Sequence, residues 1–309
     1  MIDVIRDVEE TFKLNENSRF NDFYKYSPIY PYSNEGLSIL FSALNLEEKE
    51  LLSVAGSGDH ALYAYHNGAK NVDLFDIDVL SKYYYYFRMW VIKYLNVFYF
   101  DNLIDEEEKD YLNSKCNNID KARSIINNNY SIKRETELFK YLLSQVEPTS
   151  EEEEMAYNYW KMVLNKSITM WRGGIGYFFR YILCRGDTNK KNNLSDLTVI
   201  KRRISNNNFI FYNFDIYEEN LKISKKYDVL FVSNILEYAT YRNEVNIFKN
   251  NVYNLLNDDG ILVLSNVRDE LHYVKRLLLK DLFTFEEDLP TYENISGSII
   301  PAGNILRKK

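Results

Sequence analysis

Gly56, Gly58, Asp59 and Asp76 carry the clearest chemical signal in this chain. They lie in LLSVAGSGDHALYAYHNGAKNVDLFDID, residues 51–78, which reads as a strand, a glycine turn, a helix and a second strand ending in acids. Gly56 and Gly58 let backbone approach a ligand where a Cβ would collide. The helix that follows turns unpaired N–H groups and the positive end of its dipole towards the same place. Asp76 ends the second strand, where its two oxygens can accept from both hydroxyls of a ribose. Ala55 and Ser57 complete the loop, and Ile77 and Asp78 follow the acid. The arrangement points to a ligand that contains a nucleoside. The spacing Gly56-x-Gly58-x-x-Ala61 also fits a dinucleotide fingerprint, so a nicotinamide oxidoreductase stays open as an alternative.

Later strand ends supply more polar groups. NNFIFYNFD ends at Asp215, flanked by Phe214 and Ile216, and KYDVLFV is followed by SNILEY, which carries Ser233, Asn234, Glu237 and Tyr238. Glu237, Tyr238 and Asn234 are the acceptor-side candidates for catalysis, because an acceptor hydroxyl or amine needs a base or desolvation. Asp59 and His60 are further candidates by position. Tyr32 and the Tyr83–Tyr86 run can offer aromatic faces to a cation. Each has a plainer reading as a turn, a cap or core packing.

Positioning these groups requires a particular order of elements. Residues 1–50 read as a helical lead-in with an aromatic loop around Pro28 and Pro31, and Ser33 or Asn34 is placed to cap a helix starting near Glu35. Residues 51–95 read as strand, helix, strand, helix, the last running from Val79 to about Leu95 and apolar nearly all round, as for a helix sandwiched between layers. Residues 96–206 show no strand pattern and read as a helical insert. Within it, Ser150 and Glu151–Glu154 signal a helix start with a solvated acidic first turn. The alternating pattern resumes in residues 207–309: a helix expected to stop at Gly260, the strand GILVLSNV, another helix, and two final strands near Phe283–Phe285 and Ser298–Leu306. The total is seven strands.

Composition narrows the partners. The chain has 309 residues, 46% apolar and 27% charged, with a net charge of −7. That balance does not favour a broad nucleic-acid face, so a small-molecule or amphiphilic acceptor is expected. Cys116 and Cys184 form no metal-ligand cluster and no CxxC, so no metal is expected and the thiols read as free, as in a cytoplasmic protein. No window is apolar enough for a membrane span; peripheral membrane contact stays open. Arg172, Arg180 and Arg185 near Trp171 can grip a phosphate or carboxylate.

The element order, with VAGSGD (Val54–Asp59), Asp76, Asp215 and SNILEY (Ser233–Tyr238), resembles the class I S-adenosylmethionine (SAM)-dependent methyltransferase fold. That resemblance implies an α/β, seven-stranded Rossmann-like sheet of six parallel strands and one antiparallel, with SAM at the strands' C-terminal ends. It implies that Gly56 and Gly58 line the methionine and ribose, Asp59 sits near the methionine amino group and Asp76 holds the ribose. Asp215 would face the adenine, with Phe214 or Ile216 beside the ring, and Ser233 and Asn234 would border the sulfonium and acceptor. More narrowly, SNE (Ser33–Glu35), SVAGSGDHAL, FDID, the long insert with GGIGYFFR, and SNILEY resemble the betaine-lipid synthesis family, which transfers the 3-amino-3-carboxypropyl group of SAM to diacylglycerol. The expected organisation is a helical lead-in or lid (1–50), a SAM-binding domain (51–95 and 207–309) and an acceptor-binding helical insert between the second helix and third strand (96–206). SNIL lacks an Asn/Asp-Pro-Pro-aromatic motif and no Pro-Cys motif occurs, which disfavours methylation of nucleic-acid bases. A non-catalytic SAM- or nucleotide-binding protein is the remaining alternative.

Overall fold

A computed structural model describes residues 4, 6, 7, 10, 33, 35–94, 144, 146–159, 161, 197–204, 209–236, 244–265, 277–293 and 299–309. In chain order its elements are α1 (Leu37–Ser42), β1 (Glu50–Val54), α2 (Asp59–His66), β2 (Asn71–Asp76), α3 (Val79–Tyr94), α4 (Glu151–Tyr159), α5 (Leu197–Ile204), β3 (Phe211–Asn213), β4 (Tyr227–Phe231), α6 (Val245–Leu255), β5 (Leu256–Ser265), β6 (Phe283–Asp288), β7 (Thr291–Glu293), β8 (Ile299–Pro301) and β9 (Gly303–Lys308). The chain divides into two compact units, residues 32–82 with 189–309, and residues 1–31 with 83–188.

The first unit is built on a seven-stranded sheet of order β3-β2-β1-β4-β5-β9-β6. β1 pairs in parallel with β2 and β4, β2 with β3, and β4 with β5. β9 runs antiparallel between β5 and β6, so six strands share one direction and one is reversed. The parallel strands read as apolar runs because both faces of the sheet are covered. Alternation along β4 shows this directly. Phe231 meets Phe41 of α1, with ring centroids 5.3 Å apart, and His60 of α2 at 4.5 Å. Leu230 and Val232 point the other way, into a core with Phe248, Val252 and Leu255 of α6. Arg203 of α5 donates to the Gly68 and Ala69 carbonyls at 2.8 and 3.2 Å, placing a cation beyond the C-terminal end of α2.

From β1 the chain turns to β2 on one side, and from β4 to β5 on the other. The crevice outside the ends of β1 and β4 is therefore the topological switch point, where open α/β sheets bind ligands.

Four local expectations are corrected. The helix expected near Glu35 begins at Leu37, capped by Gly36 without a side-chain bond, because Ser33 Oγ takes the Glu35 N–H and the Glu35 side chain is bonded elsewhere. Gly260 does not stop α6: the helix ends at Leu255 and β5 starts at once, with Leu256 already extended. The register between β4 and β5 then slips between Tyr227 and Val229, and Asp258–Gly260 ride through as a bulge. The third strand ends at Asn213 rather than Asp215, which lies in the following turn. The stretch Ser298–Leu306 is two strands, since β8 pairs back on β7 in a separate two-stranded sheet before β9 enters the main one.

In the second unit, Tyr83, Tyr84 and Tyr85 of α3 are buried, so these rings are core. Trp90 meets Tyr157 edge-on at 5.8 Å, and Tyr83 meets Tyr159 at 6.1 Å. Three of the four acids that open α4 are exposed, but Glu153 is buried. It accepts from the Thr149 N–H at 2.8 Å and from Lys93 Nζ at 2.5 Å, while its own N–H donates to Ser150 Oγ at 3.3 Å, a side-chain cap on the start of the helix. Most of the predicted insert lies outside the described residues, as do Arg172, Arg180, Arg185 and Tyr32. Among the described residues no helix is long and apolar enough to cross a membrane.

Two glycines separate collision from backbone strain. A Cβ on Gly303, which pairs with Ser265, would strike the Leu264 carbonyl oxygen and lie 2.7 Å from Leu40 Cδ2. Around Gly56, at φ +47°, a Cβ would meet nothing within 4 Å. Gly303→Ala is expected to lose about 2–3 kcal/mol in urea unfolding, from overpacking. Gly56→Ala should lose only about 1 kcal/mol, from the left-handed backbone. The reverse ranking would refute this account of the β5–β9 seam.

Candidate functional site

The loop after β1 is fixed before any ligand arrives. Ala55 N–H continues the ladder to Phe75 O at 2.8 Å, and Gly58 N–H closes a turn onto Ala55 O at 2.6 Å. Gly56 and Gly58 take φ of +47° and +82°, conformations that glycine adopts without penalty. Gly58 is also the N-cap of α2. The Gly56 N–H donates to Asp76 Oδ2 at 2.9 Å, tying the glycine turn to the end of β2. Asp76 Oδ1 accepts the Asp78 N–H at 3.0 Å. All the donors named for Asp76 are neutral N–H or O–H groups, so none of them neutralises its charge.

The electrostatics of this corner are those of acids short of positive partners. Burial pushes the Asp76 carboxyl above its ordinary value, although bonds from Asp78, Gly56, Ser81 and Ile77 pull it back. Asp78 is raised to about 6 by burial and by the neighbouring Asp76 charge, against the bond it accepts from Leu80 N–H at 2.9 Å. Ile77 between them is 61% exposed, an apolar surface beside the acid pair.

Beyond β3, Phe214 stacks on Phe75, 4.9 Å between centroids with the rings nearly parallel, and is almost wholly buried. Ile216 is 2% exposed and belongs to the core. Asp215 Oδ1 caps the turn by accepting Tyr217 N–H at 3.1 Å, and its own N–H donates to Glu218 Oε1 at 3.0 Å. The surface this segment offers a ligand is therefore its turn, not the Phe214 and Ile216 side chains.

At the mouth of β4, Ser233 takes φ +53°, a left-handed conformation uncommon for a side chain of its kind. Its hydroxyl donates to Glu35 Oε1 and lies 3.3 Å from Asn234 Oδ1. Glu35 was not singled out from the sequence except as a helix start and as part of SNE, yet it gathers this side of the site. Its Oε1 also accepts from Ser265 Oγ at 2.5 Å, at the end of β5. Its Oε2 contacts His60 Nε2 at 2.5 Å and accepts from Ser33 Oγ at 3.1 Å. Burial raises the Glu35 carboxyl, but the interaction with His60 and the bonds from His60, Ser233 and Ser265 outweigh it and hold the group at about 2. Its stabilising contribution is present above the ordinary carboxylate value and is lost as pH falls towards 2. His60 Nδ1 is buried with no partner among the described residues.

Asp59 connects the two sides. Its Oδ2 accepts the Ser33 N–H at 2.6 Å and Ser57 Oγ at 2.9 Å. Of the predicted site residues, the structure brings together Ala55, Gly56, Ser57, Gly58, Asp59, Asp76, Ile77, Asp78, Ser233 and Asn234 along one edge of the sheet, with Asp215 in the turn after the adjoining strand. Glu237 and Tyr238 lie outside the described residues. Among the described residues no group of three or more His, Cys, Asp or Glu is placed to hold a metal ion.

No family model and no curated protein matches this sequence. Solved structures with a similar chain path include the ribosomal protein L11 methylase of Lactobacillus delbrueckii subsp. bulgaricus, 10% identical over 88% of this chain and 76% of that one, with a TM-score of 0.38. The N-methyltransferase NodS of Bradyrhizobium japonicum WM9, in complex with S-adenosyl-L-homocysteine, is 10% identical over 98% and 96%, with a TM-score of 0.39. A SAM-dependent methyltransferase of Methanosarcina mazei is 13% identical over 85% and 93%, with a TM-score of 0.35. The fold is the Rossmann-like one of SAM-dependent methyltransferases. Strand order and direction carry that assignment, not these likenesses.

Asp78 offers a test of the acid corner that needs no ligand. Its folded value lies near 6 against an ordinary 3.8, so the folded chain holds this proton more tightly and stability falls as pH rises through that window. Asparagine preserves the cap to Leu80 and removes the charge. Asp78→Asn should be more stable than the wild type by about 1 kcal/mol near pH 7.5 and equal to it near pH 4, read from thermal unfolding. A constant difference across that range would contradict the assigned titration.

Proposed function

We propose that the protein is a SAM-dependent transferase, moving an alkyl group from SAM to a small-molecule or amphiphilic acceptor. One observation carries this reading: at the switch point of a sheet with a reversed strand between β5 and β6, a half-buried acid at the end of β2 is bonded to the glycine turn after β1. The glycine spacing alone also fits a dinucleotide. Dinucleotide-binding sheets of order 3-2-1-4-5-6 lack a reversed strand in that place, and this difference favours SAM.

The roles follow from position. Asp76 accepts the ribose hydroxyls, with Ile77 against one face of the adenine and the Asp215 turn at its edge. Asp59 takes the methionine ammonium. Ser233 and Asn234 border the sulfonium. The chemistry is a displacement at carbon: a lone pair on the acceptor forms the new bond, the carbon–sulfur bond breaks, and its electrons stay on sulfur. Attack at the methyl leaves S-adenosylhomocysteine, and attack at Cγ of the methionine chain leaves methylthioadenosine. Which carbon reacts is set by which one is aligned with the acceptor. The resemblance to betaine-lipid synthesis supports Cγ and a diacylglycerol-like acceptor; the fold type supports methyl. The acceptor's proton must leave as well; Glu237 and Tyr238 are the candidates to take or relay it, with Asn234 as a hydrogen-bonding group that orients the acceptor.

Calorimetric titration of the full chain with SAM, and with NADH for comparison, tests the reading. SAM is expected to bind at micromolar Kd with no signal from NADH. Asp76→Ala should weaken SAM by about 100-fold or more, through two lost hydroxyl bonds to a charged group. NADH binding without SAM binding would replace the transferase with an oxidoreductase. SAM affinity that survives Asp76→Ala would put the pocket elsewhere.

A further inference from the structure

Glu35 belongs to no glycine or acid motif of the nucleoside corner, and its bonds run elsewhere. They form a continuous path across the mouth of the sheet. Asp59 accepts the Ser33 N–H at 2.6 Å, Ser33 Oγ donates to Glu35 at 3.1 Å, and the other Glu35 oxygen receives the hydroxyls of Ser233 and Ser265. His60 holds the carboxylate from beneath at 2.5 Å, and its ring is braced 4.5 Å from Phe231. The path begins and ends on residues assigned above to the methionine half of SAM. Asp76 is not on it. That acid is fixed separately, by the N–H groups of Gly56 and Asp78.

We propose that Glu35 is a positioning residue for the methionine half of SAM. The proposal rests on the SAM reading and deepens it. Glu35 touches no part of the ligand: all four of its hydrogen-bonding directions are taken by Ser33, His60, Ser233 and Ser265. It acts through its neighbours. It pins the Ser33 segment so that Asp59 keeps its orientation, and it holds Ser233 in a left-handed backbone that serine does not favour alone. Four bonds hold this carboxylate in the ionised form that accepts them all; an amide in its place presents one acceptor atom and turns a donor towards donors. Loosening Glu35 therefore frees the wall around the aminocarboxypropyl chain and leaves the nucleoside end in place.

SAM and methylthioadenosine separate the two halves, because methylthioadenosine keeps the adenosine and sulfur and lacks the aminocarboxypropyl chain. Both are titrated calorimetrically into the full-length wild type, Glu35→Gln and Ser265→Ala. Glu35→Gln is expected to weaken SAM by about 10- to 100-fold and methylthioadenosine by less than about three-fold. Ser265→Ala, which removes one donor from Glu35, should shift SAM in the same direction by about three- to ten-fold. Equal losses on both ligands would reduce Glu35 to a structural role and overturn the proposal, as would a Glu35→Gln variant that binds SAM like the wild type. If Glu35→Gln shows no cooperative unfolding transition, Ser265→Ala decides by the same comparison. A wild type that binds neither ligand would overturn the SAM reading and this proposal with it; a wild type that binds both confines any failure to Glu35.

Discussion

A carboxylate carried into a protein interior must find donors there or give up its charge, and this constraint orders the ligand-binding edge of the sheet. The bond from Gly56 N–H to Asp76 is where it acts first. The bond brings the loop after β1 against the end of β2, and so decides that the glycine turn and the acid face the same ligand. A parallel sheet places the C-terminal ends of β1, β2 and β4 on one edge, but that edge becomes a site only when the loops are fastened there.

Comparing the buried acids shows which are finished and which are not. Asp73, within β2, accepts from Lys225 at 2.7 Å, Tyr227 at 2.8 Å, Ile210 N–H at 2.9 Å and Asn71 at 3.0 Å. The Tyr227 hydroxyl and the Lys225 ammonium are held in their protonated forms in return, with burial and the hydrogen bonds to Asp73 acting together on the tyrosine. That cluster is complete, and it joins β2, β4 and the chain before β3. Glu35 is complete too, driven down by His60 and the hydroxyls of Ser233 and Ser265. Asp76 and Asp78 differ: their named donors are backbone N–H groups and one hydroxyl, none of them cationic, and both acids are driven up. A ligand that reaches that corner meets acids that no cation has neutralised. The same burial thus makes one acid a fastening and leaves Asp76 with no cationic partner, and the difference lies in the kind of donors each acid meets.

This contrast explains which parts of the site could be read from the sequence. The glycine turn, the acid after β2 and the apolar parallel strands are local in sequence, and each has a composition that only a few structures use. The reversed final strand was also foreseeable, since two short apolar runs at the end of the chain had to pair. The bulge at Asp258–Gly260 was hidden because Asn-Asp-Asp-Gly carries the composition of a helix stop, while the pull of the β4 ladder extends the strand back to Leu256. Glu35 was hidden for a different reason. Its partners Ser233 and Ser265 lie 198 and 230 residues away, and no local pattern reports a contact of that separation. The nearest signal was the apolar setting of His60, whose Phe231 neighbour is also far away in sequence.

The division between legible and illegible parts bears on the reaction itself. The nucleoside end of SAM is common to every transfer that SAM supports, so the residues expected to hold it can keep one pattern. The sulfonium has three electrophilic carbons, and choosing among them is a question of where the methionine chain lies relative to the acceptor. The groups proposed to bound that chain are Asp59 and Ser233, and both are held by contacts from distant parts of the sequence. A fold of this kind can therefore retain its nucleoside corner while altering the path through Ser33, Glu35 and Ser233, and so change which carbon is delivered. On the proposed reading, long-range polar contacts at the mouth of β4 and β5 set the reaction type, and the glycine motif does not.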